Sequence, residues 1–132
     1  MKYILLLLVL TVSVACFAQD NEKIDCTHVI ISAQYDDCIK KNILESNQQL
    51  EQIISRLEIQ VAENYQADQQ LGKALIKTVL ESQNSWISYR DKHCKIIAFE
   101  IEEGTAAYIT TLNSCAIELN ENRMEQLSQL HQ

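Results

Sequence analysis

The sequence predicts an all-α fold, a small three-helix antiparallel bundle stapled by two disulfides. Three observations carry this. The 132 residues contain no proline and two glycines, so helix-breaking residues are nearly absent. Apolar residues recur at threes, fours and sevens along three long stretches. Once an N-terminal leader is set aside, four of the five cysteines remain, Cys26, Cys38, Cys94 and Cys115. An even count in a small exported chain reads as a disulfide framework.

The leader is residues 1–18, read as a secretory signal peptide. Lys2 supplies the positive start, and residues 4–15 are apolar apart from Thr11 and Ser13. That run is too short to span a bilayer. Cys16-Phe17-Ala18 places small residues at −3 and −1, which predicts cleavage before Gln19 and one domain over residues 19–132. A rival reading makes Cys16 the lipidated residue of a lipoprotein. Ala15 fits that reading, whereas Ser13 stands where an aliphatic residue is usual. The leader holds Lys2 and no acid, so cleavage takes the net charge from −7 to −8. The expected location is the periplasm or the outside of the cell.

Residues 19–31 show no period and read as an irregular arm tied to the body by Cys26. Ser32 can cap the first helix, with Asp36 and Asp37 near its positive end. Ile39, Ile43, Leu50, Ile54, Leu57, Val61 and Tyr65 make its apolar face, interrupted by the polar Ser46 and Asn47. Lys40, Lys41, Glu45, Glu51, Arg56 and Glu58 make the outer face. A break is expected over residues 66–69, with Asp68 capping the second helix. There the stripe is Leu71, Leu75, Val79, Trp86, Ile97 and Ile101, with Cys94 beside it. Gly72 falls in the first turn, where glycine costs least. Asp91 and Lys95 have the favourable i,i+4 order, worth about 0.3–0.5 kcal/mol if exposed. Glu102, Glu103 and Gly104 end this helix, and Thr105 can cap the next. Tyr108, Leu112, Cys115, Leu119, Leu127 and Leu130 form the third stripe. Short connections make antiparallel neighbours the simplest arrangement.

Four cysteines allow three pairings. Cys26–Cys38 with Cys94–Cys115 is the most local. It also suits a hairpin turning at Gly104, since Cys94 lies ten residues before the glycine and Cys115 eleven after it. At 1.5 Å rise per residue both cysteines then stand about 15 Å from the bend, as a cross-hairpin bridge requires. Each bridge adds about 3 kcal/mol in the chain-entropy treatment.

Little in the chain suggests catalysis or a cofactor. His93 adjoins Cys94 and His28 follows Cys26 by two, but no CxxC or HExxH occurs, so disulfides are favoured over zinc. No GxSxG occurs. His93 and Cys94 point about 100° apart on a helix and form no dyad. The acidic balance gives no electrostatic reason to bind nucleic acid or an anionic membrane, and it suits a basic protein partner. Glu100, Glu102 and Glu103 gather at the expected hairpin tip. Two of them could act as a glycosidase pair, but with no interleaved aromatics they read as a solvated tip and a candidate contact for that partner. Trp86 and Arg90 share a face, with Asp91 beside them, and Arg123 on the third helix falls at their height. These read as an indole and arginine stems sealing the core near the disulfide. The rival is a functional surface.

The pattern Gln83-x-x-Trp86-x-x-Tyr89-Arg90-Asp91-x-x-Cys94, then Gly104-Thr105, Cys115 and Arg123-x-x-x-Leu127, resembles the LprI-like lysozyme-inhibitor N-terminal domain family. Asn120 stands where that family usually has threonine. The clear match covers residues 83–127, and an upstream pair fits as Cys26 and Cys38. The resemblance implies a small exported helical domain with paired cysteines that inhibits lysozyme by binding it. It gives Trp86, Tyr89, Arg90, Asp91, Gly104 and Arg123 the role of scaffold and carries over no inhibitory residue. The combined expectation is a non-enzymatic exported protein, with a basic lysozyme as partner. The alternative is a periplasmic structural or interaction module with another protein partner.

Overall fold

The architecture comes from a computed structural model, which describes residues 24–29 and 31–131. The expected leader, its cleavage point and Cys16 lie outside the described residues. Among the described residues three α-helices follow one another: α1 (Ser32–Asn64), α2 (Gln69–Ile97) and α3 (Ala106–Ser128), the last closed by a 3-10 turn, Gln129–His131. There is no strand among the described residues, and the fold is the predicted disulfide-stapled bundle. Asp68 caps α2 by accepting from the Leu71 N–H at 3.0 Å, and Thr105 caps α3 by accepting from the Tyr108 N–H at 3.2 Å. Ser32 does not cap α1. Ile31 holds that position and offers no side-chain bond. Asp36 instead accepts a hydrogen bond from the Thr110 hydroxyl, tying the first turns of α1 to α3.

The inward face of α1 is the expected one, with Ile39, Leu50, Leu57 and Val61 buried. On α2 the stripe holds at Val79 and the half-buried Trp86 but not toward either end of the helix. Leu71, Leu75 and Ile97 are exposed, and the buried positions are Gly72, Val79, Gln83 and Cys94. Gly72 faces inward at the start of the helix. A Cβ built there would stand 2.8 Å from the Tyr65 Cβ, so the α1–α2 connection can close only against a residue without a side chain. On α3, Leu127 is buried and Leu130 is exposed.

The interior has two apolar clusters. One holds Leu50, Leu57, Val61, Val79 and Leu127, with Ile53, Ile54, Ile76, Trp86 and Met124 against it. The other holds Cys26, Cys38, Ile39 and Ile117, with Ile43 against it. Between them, at the polar gap in the α1 stripe, lies a layer of buried polar groups. Asn120 is 0% exposed and donates to Ser46 Oγ at 3.0 Å and to Asn47 Oδ1 at 2.9 Å. Arg90 Nη1 donates to Asn120 Oδ1 at 2.9 Å and to Asn47 Oδ1 at 3.3 Å. Ser46 and Asn47 are thus acceptors facing inward, and each finds the partner that a buried polar group requires. Glu45, expected on the outer face, is half-buried, and its Oε2 is buried with no hydrogen-bond partner.

The arm before α1 is held twice. Cys26 and Cys38 are bridged, with Cα atoms 6.0 Å apart. The buried Asn42 accepts from the Ile24 N–H at 3.1 Å and donates to the Ile24 carbonyl at 2.8 Å. That clasp satisfies both ends of one side-chain amide.

Candidate functional site

The α2–α3 hairpin presents the residues that sequence reasoning singled out, and it divides them into two groups. The first group lies together on the bundle flank. Trp86 lies between two guanidinium groups, with Arg90 Cζ 5.5 Å and Arg123 Cζ 5.8 Å from the ring centroid. Arg123 is fixed by donating from Nε to Gln83 Oε1 at 3.0 Å and from Nη2 to Ser82 Oγ at 3.1 Å. Burial pushes its pKa down from the ordinary value. Arg90 grips Asp91 Oδ1 through Nε at 3.0 Å and Nη2 at 2.8 Å while Nη1 reaches the interior. Asp91 therefore serves Arg90 in place of the expected Lys95. Arg123 does reach the Trp86–Arg90 region. Tyr89 is 54% exposed and stacks on His93 with centroids 5.5 Å apart.

The second group is the hairpin end. α2 stops at Ile97, earlier than expected, so the turn is the whole of residues 98–105 and Gly104 closes it rather than centring it. The symmetry about Gly104 is therefore only approximate, although the bridge it suggested is present, with Cys94 and Cys115 Cα atoms 5.6 Å apart. Gly104 takes a φ of 83°, in the region that side chains avoid. Thr105 fastens the far side by donating its hydroxyl to the Glu102 carbonyl at 2.8 Å. Glu100, Glu102 and Glu103 are all exposed on this end. Beside them stand two residues that the apolar stripes did not include, Phe99, 84% exposed, and Ile96, 70% exposed. The available signal was a phenylalanine outside every stripe, directly before three acids.

A groove of about 620 Å³ runs between α1 and α2, lined by Val61, Tyr65, Ile76 and Leu80 and edged by Glu58 and Lys73. Among the described residues no three His, Cys, Asp or Glu side chains gather as a metal site would require. No described helix is long and apolar enough to cross a membrane.

With this geometry in view, the family model described as "Lysozyme inhibitor LprI" matches residues 26–127. The chain belongs to the LprI lysozyme-inhibitor family. The match begins at the first disulfide cysteine and ends at Leu127, so it takes in all three helices, both bridges and the hairpin end. No curated protein and no solved structure matches the chain. Within the LprI match, the Asn120 amide is the hub of the buried polar layer.

Proposed function

We propose that this LprI-family chain is exported, loses residues 1–18, and inhibits a basic lysozyme by binding it, without catalysis of its own. The observation that carries the reading is the family match over residues 26–127. Two disulfides in so small a body favour an oxidising compartment, the periplasm or the exterior. A net charge of −8 after cleavage favours encounter with a cationic enzyme. The hairpin end with Glu100, Glu102 and Glu103 is the proposed contact, since it projects beyond the Cys94–Cys115 staple and is narrow enough to approach a cleft.

The test is lysis of a lysozyme-sensitive cell wall, with the disulfide-bonded mature protein in micromolar excess over several lysozymes at low salt. Inhibition is expected. The association rate should fall as salt rises, because the screening length shrinks from about 8 Å at physiological salt to about 3 Å at 1 M. Changing Glu100, Glu102 and Glu103 together to Gln should weaken binding with little change in melting temperature. Full activity of every lysozyme overturns the reading and leaves an interaction module with another protein partner. A triple variant as inhibitory as wild type overturns only the contact.

A further inference from the structure

We propose that Phe99, with Ile96 beside it, is the apolar anchor of the partner contact, entering an apolar pocket on a cationic protein surface while Glu100, Glu102 and Glu103 pair with basic groups around that pocket. The proposal rests on the inhibitor reading and adds the residues that supply most of the affinity.

Three observations support it. The first is exposure. Single exposed apolar residues are ordinary, but here Ile96, Ile97 and Phe99 are all exposed within four positions, and Phe99 is the most exposed large apolar residue described. Interface energy concentrates in a few such side chains, aromatic ones above all. The second is rigidity. Ala98, between the exposed residues, is fully buried. Its N–H donates to the Cys94 carbonyl at 3.0 Å, and the Phe99 N–H donates to Ile96 at 3.2 Å. Cys94 is itself bridged to Cys115. The aromatic ring is thus presented on a backbone that loses little freedom on binding.

The third is charge, which selects the occupant. From Ile96 to Asn122 the chain has no lysine or arginine, and three glutamates fall within the four positions after Phe99. Lys92 and Lys95 lie on the turn of α2 below. An anionic bilayer would take the apolar residues but be repelled by the acids. A second copy would bring the same three acids against them. A cationic protein surface with an apolar pocket satisfies both chemistries.

The test measures the affinity of the disulfide-bonded protein for a lysozyme that the wild type inhibits, by titration calorimetry at two salt concentrations. The set is wild type, Phe99→Ala, Ile96→Ala, the Glu100/Glu102/Glu103→Gln triple variant, and Leu44→Ala as an exposed control on α1. Phe99→Ala should lower affinity about thirtyfold or more, as loss of an interface anchor does, with the melting temperature and the salt dependence kept. Ile96→Ala should lower affinity less, the triple variant should show a weaker salt dependence, and Leu44→Ala should match wild type. Wild-type-like affinity in both Phe99→Ala and Ile96→Ala overturns the anchor and leaves the inhibitor reading standing. A wild type that binds no lysozyme removes that reading, and this one with it. Binding of wild type to anionic vesicles that is lost in Phe99→Ala would also overturn the proposal, in favour of a membrane.

Discussion

Asn120→Ala should cost more stability than any other single polar deletion in the chain. The side chain is fully buried and makes three hydrogen bonds, one accepted from the Arg90 guanidinium and two donated, to Ser46 and Asn47. A neutral bond is worth about 1 kcal/mol net and one to a charged group about 1.5–3 kcal/mol. Alanine leaves no acceptor for Arg90, and with no exposure at the site water cannot readily replace the amide. The sum is roughly 3–5 kcal/mol, against a typical total of about 5–15 kcal/mol for a domain. At about 4–8 °C per kcal/mol for a domain of this size, the melting temperature should fall by about 12–40 °C. Urea and thermal unfolding followed by circular dichroism, with both disulfides intact, would measure it. Asn120→Thr should lose less, because its hydroxyl can still accept from Arg90. A double-mutant cycle with Ser46→Ala should show coupling of about 0.5–3 kcal/mol. If Asn120→Ala melts within a degree or two of wild type, the polar layer does not hold the helices together as argued.

Trp86→Ala should lower stability by about 2–3 kcal/mol, less than the roughly 3–5 kcal/mol of a fully buried aromatic, because the indole is half-buried between two arginines. An unchanged melting curve would make it a surface contact after all. Gly72→Ala sets a helix-propensity gain of about 1 kcal/mol against an overpacking cost of about 1–3 kcal/mol at Tyr65. The steric term should win, and a higher melting temperature in this variant would contradict the close approach. The Asp25 carboxyl should titrate below its ordinary value of 3.8, held down first by the Thr27 backbone N–H, then by the Thr27 hydroxyl, and least by His28. A depressed pKa means that the contribution to stability is present above the unfolded value and is lost as pH falls through the folded one. Carboxyl-detected NMR titration gives the answer, and a midpoint at or above the ordinary value would count against the turn.

The helices, two of their caps and both bridges were legible because they depend on local chemistry: period, capping side chains, cysteine parity. The inward positions at the two ends of α2 were not. Leu71, Leu75 and Ile97 satisfy helical spacing as well as the true inward set does, and at the start of the helix the close approach of Gly72 to Tyr65 shows only in the packed structure. Ser46 and Asn47 looked like a weakness in the α1 stripe because a sequence shows a polar residue without its partner. Those partners, Asn120 and Arg90, lie far along the chain. At the hairpin end the three acids were readable as charge. Phe99 was not, since whether an apolar residue faces inward is a property of the packed turn.

The two apolar clusters give the molecule ends of different kinds. Both disulfides lie toward the end that carries the hairpin turn, whereas the end where α1 meets α2 is closed without a disulfide, by apolar packing that includes Leu57, Val61, Val79 and Leu127. Thermal agitation or a protease should therefore loosen the unbridged end first, as a local opening distinct from global unfolding. The polar layer stands between that opening and the staples, and sliding one helix past another would strip Arg90 and Asn120 of their partners. A chain frayed at one extremity in this way would still present Phe99 and its three glutamates on a covalently closed hairpin, so wear at the distal end need not disarm the contact.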